Sequence, residues 1–211
     1  MRRGKFITFE GGEGCGKSTQ AALLKESLES EGLQVVVVRE PGGTKLGEKI
    51  RALLKDEIED PPCDRAELLL FEAARAQLVE EVVIPALEKG AWVISDRFSD
   101  STLAYQGYGR GLPLDIIRRS NEFAMKGLKP DFTVLLEVSP EIAESRMRKR
   151  ESSTGTLADR IECAGASFHE RLRKGFLCLA EAEPERFVRV DAGGSENEVR
   201  ERVWKSLKRI L

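Results

Sequence analysis

Residues 9–20 read FEGGEGCGKSTQ. Four glycines in six positions would by themselves make only a loose turn. Here Gly16 is followed at once by Lys17, Ser18 and Thr19, so that Gly11-x-x-x-x-Gly16-Lys17-Ser18 fits the pattern G-x-x-x-x-G-K-[ST]. Glycine admits backbone conformations closed to residues with a Cβ, which lets consecutive N–H groups converge on phosphate oxygens. A lysine after the last glycine reaches the β- and γ-phosphates, and the serine hydroxyl suits a bound Mg2+. A helix opening at that point turns its positive end on the anion. The pattern therefore demands a strand before it and a helix after it. Both are predicted, an apolar strand over residues 5–10 and a helix over 17–31. Gly11, Gly12, Glu13, Gly14, Cys15, Gly16, Lys17, Ser18 and Thr19 form the candidate ATP-binding loop.

Four more short apolar runs, 34–39, 91–96, 131–138 and 187–191, alternate with helical patterns at 44–55, 64–89 and 140–150. A last helix opens after Ser195, where Glu198 completes a capping box and Val199, Val203 and Leu207 recur every four residues. Near-continuous apolar strands imply burial on both faces, so a three-layer α/β/α sandwich with a five-stranded parallel sheet, of the P-loop NTPase type, is predicted. Its ligands should lie at the carboxyl ends of the strands. At 211 residues the chain fits a single domain. With 41% hydrophobic and 33% charged residues it has a soluble protein's balance, and a net charge of −2 argues against a general nucleic-acid binder. Its four cysteines include no C-x-x-C pair, so free thiols in a reducing compartment are expected rather than a zinc knuckle or disulfide framework. The basic start has too short an apolar follow-on for a signal peptide, and no run is long enough to span a membrane. These features predict a cytoplasmic protein.

Several P-loop classes drop out. There is no N-K-x-D to read guanine and no G-x-G-x-x-G for a dinucleotide, and the D-x-x-G at 191–194 falls after the last strand, where a turn is expected. Asp96 closes the third strand in the position that holds Mg2+, so Ser18 and Asp96 are the candidate metal ligands. Arg97 beside it can clamp an anion. Phe71 and Arg75 stand four apart on one helix and share a face. They could be a ring that stacks on a base with a guanidinium at its carbonyl edge, or a core phenylalanine beside a solvated arginine.

In combination "FEGGEGCGKST", "REPGGT", "FEAAR", "DRF..STLAYQG" and "DRIE", in that order over residues 9–162, resemble the bacterial thymidylate kinases, a family of P-loop nucleoside monophosphate kinases. The resemblance implies transfer of the γ-phosphate of Mg-ATP to dTMP, giving dTDP, by a homodimer. It implies that Phe71 stacks on thymine, Arg75 bonds O4, Thr102 reads the N3 edge, and Gln106 and Ser101 complete the acceptor site. Tyr105 would crowd the 2′ position and favour deoxyribose. Arg51 and Arg97 match the acceptor-phosphate clamps, and Glu13 lies near that phosphate and its metal, so Lys17, Arg97 and Glu13 are the catalytic candidates at the loop. Some members carry an arginine within the P-loop, where this chain has Glu13 and Cys15. The basic helix end at Arg146, Arg148, Lys149 and Arg150, a flexible stretch from residue 151, and Arg160 resemble the family's mobile lid over residues 146–160. Arg150, then Arg146, then Arg160 are the candidates for the missing cation. The acceptor phosphate has its second pKa near about 6, so it attacks already ionised and needs no general base. His169, the one histidine, falls on a predicted helix and is assigned a structural role. Two alternatives stay open: a kinase for another nucleoside or nucleotide such as dUMP, and a P-loop ATP-binding module with no small acceptor.

Overall fold

The computed structural model describes residues 3–55, 61–154 and 164–208. Strands β1 (Phe6–Glu10), β2 (Val35–Arg39), β3 (Trp92–Asp96), β4 (Phe132–Glu137) and β5 (Phe187–Asp191) form one sheet in the order β2-β3-β1-β4-β5. Every pairing is parallel. This is the expected α/β fold of P-loop type, with the loop-bearing strand in the centre.

The two faces follow from the two-residue period of a strand. Ile7, Phe9, Ile94, Phe132, Val134 and Leu136 face one side, against Leu24 and Leu28 of α1 (Lys17–Ser30) and Val203 and Leu207 of α9 (Glu196–Leu207). On the other side Phe6 and Val93 meet Leu78, Val83 and Phe98, while Leu135 meets Phe168, Leu172 and Phe176 of α8 (Ala166–Ala182). The three central strands are buried on both faces as expected. The edge strands are not: β2, despite its four valines, leaves Val37 40% exposed. An edge has a neighbour on one side only, and its outer part is covered incompletely.

α2 (Lys45–Lys55) packs on α3 (Asp64–Leu78). The single helix expected over 64–89 is one rod, in which α3 passes through a π-helical turn (Val79–Val83) into α4 (Ile84–Glu88). Pro85 has no N–H for the carbonyl four residues back, and the helix widens there to accommodate it. The capping box is present, with the Ser195 N–H donating to Glu198 Oε2 at 2.8 Å and the Glu198 N–H to Ser195 Oγ at 3.4 Å. Two helical stretches lie outside the predicted elements: α5 (Ser99–Thr102), continued by a π-helical segment (Leu103–Gly109), and α6 (Leu114–Met125), while α8 is the helix expected around His169. In α6 the apolar pattern misleads, because Ile116 and Phe123 are exposed while Asn121 is buried. α7 (Pro140–Thr154) outruns its expected end at residue 150, so residues 151–154 are helical rather than flexible. The rest of the lid segment, with Arg160, lies outside the described residues.

Candidate active site

Parallel register brings the strand ends level: Asp96 pairs with Phe9 on one side and with Arg39 on the other. The loop after β1 thus lies against the end of β3. Within it Gly11, Gly14 and Gly16 have φ of +138°, +69° and +94°. A Cβ on Gly11 would stand 2.5 Å from the Leu136 carbonyl oxygen, and one on Gly14 2.5 Å from that of Ala143. Both positions require glycine. Nothing lies within 4 Å of a Cβ on Gly12, so the loop is open on that side. Lys17 is only 7% exposed, and its ammonium folds back to donate to the carbonyls of Gly12 (2.7 Å) and Gly11 (3.3 Å). The Cys15 thiol donates to Gly12 O at 3.0 Å. Ser18 Oγ donates to Asp96 Oδ2, joining the loop to the end of β3.

Arg97 has a left-handed backbone, φ +73°. Its N–H donates to Phe9 O at 3.0 Å, and its carbonyl accepts Ser95 Oγ–H at 2.6 Å. The guanidinium lies 4.9 Å above the Tyr105 ring and donates to Glu13 Oε1 (2.5 Å), Gly11 O (3.0 Å) and Ser101 Oγ (3.1 Å). Tyr105 O–H also donates to Glu13 Oε1, at 2.9 Å. Burial works to raise the Glu13 pKa, but Arg97 and then Lys17 outweigh it and hold the carboxyl down at about 2. Glu10, fully buried at the end of β1, accepts the Phe98 N–H at 2.8 Å and Ser101 Oγ–H at 2.5 Å. Burial and then the neighbouring Asp100 push its pKa up to about 8.

Arg75 is not the solvated arginine of the plainer sequence reading, being 1% exposed with all its N–H groups engaged. Glu40 accepts from Nε (2.9 Å) and Nη2 (2.6 Å), and Thr102 Oγ1 from Nη2 (2.9 Å). Glu72 (2.9 Å) and Asn121 (2.6 Å) accept from Nη1. Burial pushes the Glu40 pKa up to about 7 although Arg75 opposes it. Arg51 Nη1 donates to Pro41 O at 2.8 Å, which sets it beside the end of β2. Gln106 Nε2 donates to Glu67 Oε1 at 2.9 Å.

One cavity of about 830 Å³ joins these groups. It takes in loop residues 13–19, Asp96, Arg97, Arg51, Phe71, Arg75, Ser101, Thr102, Tyr105, Gln106, Arg146 and Arg150. Of the residues expected at the site, Gly11 and Gly12 stay behind its wall as carbonyl acceptors for Lys17, and Arg160 is outside the described residues. Arg146 Nη2 donates to Ala192 O (2.9 Å) and Gly194 O (3.1 Å), strapping α7 to the turn after β5. That turn closes as expected, with the Gly193 N–H on Asp191 Oδ1 at 2.8 Å, but it also walls the cavity through Ala192, Gly194 and Ser195. His169 is in α8, its ring edge-on to Phe168 at 5.5 Å. Sequence reasoning missed Glu10, Glu40, Glu67 and Glu72. For Glu10 and Glu40 a signal existed, a carboxylate at the end of an apolar strand. Glu67 and Glu72 carry none, since each is a buried acid on a helix otherwise patterned as amphipathic.

A family model described as thymidylate kinase matches residues 9–203. The thymidylate kinase of Synechococcus sp. (strain JA-3-3Ab) is 52% identical over 203 residues, which cover 96% of this chain and 95% of that protein. The thymidylate kinase of Caldanaerobacter subterraneus subsp. tengcongensis is 47% identical over 209 residues, covering 99% and 97%. The chain is also similar to the crystal structure of thymidylate kinase from Ehrlichia chaffeensis, with a TM-score of 0.77 and 34% identity over 98% of this chain and 99% of that one. The likeness runs over nearly the whole chain, and it removes the reading as a binding module without an acceptor. The chain belongs to the thymidylate kinase family, the nucleoside monophosphate kinases that use ATP to phosphorylate dTMP to dTDP.

Proposed function

We propose a division of labour in which residues 11–19 hold the ATP phosphates and the far half of the cavity holds dTMP. The observation that carries it is one shared oxygen. The Gly11 carbonyl accepts both Lys17 Nζ, at 3.3 Å, and Arg97 Nη1, at 3.0 Å. The cation that belongs to the phosphoryl donor and the cation that clamps the acceptor phosphate thus sit on either side of one atom. Two anions entering from opposite ends would exchange these carbonyl contacts for phosphate oxygens and meet there. Positioning and cationic stabilisation suffice for the transfer, because the acceptor oxygen is already ionised at neutral pH.

The adjacent hydroxyl and carboxylate of Ser18 and Asp96 fit Mg2+, which takes hard oxygen ligands and relies on one or two carboxylates plus phosphates. When bound it neutralises charge on the β- and γ-phosphates. Phe71 offers a ring to the base, Arg75 meets its O4 carbonyl and Thr102 its N3 edge, and Tyr105 is a wall at the 2′ position, pinned by Glu13. Arg51 joins Arg97 at the acceptor phosphate, with Ser101 between. Arg150, on the cavity face of α7, supplies the cation that the loop lacks. The free thiols of Cys15, Cys63 and Cys178, and the fact that no described helix is long and apolar enough to cross a membrane, support a cytoplasmic enzyme. A homodimer is the assembly, supported by apolar side chains exposed on α3 and α6. ADP release from Mg-ATP with and without dTMP tests the reading. It should require dTMP; ADP formation at the same rate without dTMP overturns it.

A further inference from the structure

Glu67 has no part in the phosphoryl transfer described above, yet it is a carboxylate with no solvent exposure, on α3 behind the acceptor end of the cavity. Isolated buried carboxylates are costly, and such a group persists where donors converge on it. Three do. Gln106 Nε2 reaches Oε1 at 2.9 Å, Arg110 Nε reaches Oε1 at 3.3 Å, and Arg110 Nη2 reaches Oε2 at 3.2 Å. Arg110 is itself held over the Phe168 ring, 5.2 Å from its centroid, and lies 3.6 Å from Asp64. Ion-paired in this way, the carboxylate of Glu67 can only accept hydrogen bonds.

That one-sidedness has a chemical consequence. A glutamine amide has a donor end and an acceptor end, and a carboxylate partner claims the donor end. Gln106 lines the cavity beside Phe71, Arg75 and Thr102. With its nitrogen bound to Glu67, the end left for the cavity is the carbonyl oxygen. We propose that Glu67, which touches no substrate, is a positioning residue that fixes the Gln106 amide so that its oxygen faces the acceptor base. The site then accepts a pyrimidine with an N3–H donor and refuses one whose ring nitrogen is bare. Thymine and uracil have that hydrogen; cytosine presents a bare ring nitrogen, which would set its lone pair against the amide oxygen with no hydrogen between them. Mispairing of this kind, in a site built around a hydrogen bond, is where large discrimination arises.

The inference rests on the reading of the cavity as a dTMP site, and the assay separates the two. Wild-type enzyme and E67Q are compared for kcat/KM with dTMP, dUMP and dCMP and for the KM of ATP, with thermal unfolding as a check. In E67Q one oxygen becomes an NH2 donor facing other donors, so the Gln106 amide is no longer locked. The dTMP-to-dCMP ratio should fall by about tenfold or more, while the dTMP-to-dUMP ratio and the ATP KM stay within about twofold. A purely structural role would weaken all three acceptors together, and that result, or an unchanged dCMP ratio, overturns the inference. If E67Q does not fold, the double variant E67Q/R110M removes the buried pair as a unit, which proteins tolerate far better than breaking it, and the same ratios decide. Wild-type enzyme inactive on dTMP would instead sink the assignment of the cavity.

Discussion

Arg97 carries a conformational burden for the place proposed for it at the acceptor phosphate. A left-handed backbone at a residue with a Cβ costs about 1–2 kcal/mol, and Arg97 adopts φ +73°. The strain is held by its N–H on Phe9 O and by Glu10, which fixes the next residue through the Phe98 N–H. Two substitutions separate the backbone from the guanidinium. Both R97G and R97A should lose kcat/KM for dTMP by roughly 100-fold, the worth of one charge-assisted hydrogen bond to phosphate, with little change in ATP binding. R97G, free of the Cβ penalty, should nonetheless unfold at a higher temperature than R97A. Equal melting temperatures would mean that the turn is not strained. The residue scale also marks where sequence reading stops. Lys17 declares itself because its partners, the carbonyls of Gly11 and Gly12, are a few positions away, whereas the environment of Arg75 is assembled from Glu40, Thr102 and Asn121, on separate elements. No local pattern forecasts that its donors are already taken. A bond from Arg75 to a thymine carbonyl would have to displace one of these partners or share a proton with it.

At the scale of elements, α7 places two arginines one turn apart on the cavity side. Arg146 is tied to the carbonyls of Ala192 and Gly194 and so braces the wall of the nucleotide site. Arg150, one turn later, stands nearer the helix end. R146A should therefore raise the KM for ATP and lower the melting temperature, while R150A should lower kcat by the roughly 10³–10⁵ typical of an arginine that stabilises the transferring phosphoryl group, leaving the ATP KM within a few-fold. Steady-state kinetics of the two variants check the split. A kcat effect confined to R146A, or absent from both, removes Arg150 from the mechanism. Elements themselves were legible to the extent that they were periodic. All five strands stood out as apolar runs, and α9 through its capping box. α8, expected around His169 without stated bounds, is marked by a clear stripe of Phe168, Leu172 and Phe176. The π-helical segment Leu103–Gly109, which carries Tyr105 and Gln106, has no periodic signature, because its burial follows the cavity and the neighbouring α8.

On the scale of the whole molecule, the misleading pattern of α6 becomes informative. Phe123 is 89% exposed, Leu69 63% and Ile116 52%, and they lie on α3 and α6, which pack side by side. Large apolar side chains gathered on one side of a soluble protein mark an association surface, and a two-fold copy would cover each set with its own equivalent. The same helix α3 carries Phe71 and Arg75 into the cavity, so a partner pressing on Leu69 would steady the acceptor site from behind. The loop between β1 and α1 belongs to neither of these helices. F123E should accordingly convert a dimer to a monomer in analytical ultracentrifugation, and its melting temperature should lose the dependence on protein concentration that an obligate pair displays. Its KM for dTMP should rise several-fold while that for ATP holds. A wild-type protein that sediments as a monomer, or an F123E variant that remains a dimer, would show that this surface does not hold two copies together. Unequal effects on the two substrates would trace the coupling to α3, which carries both the exposed Leu69 and the cavity residues Phe71 and Arg75.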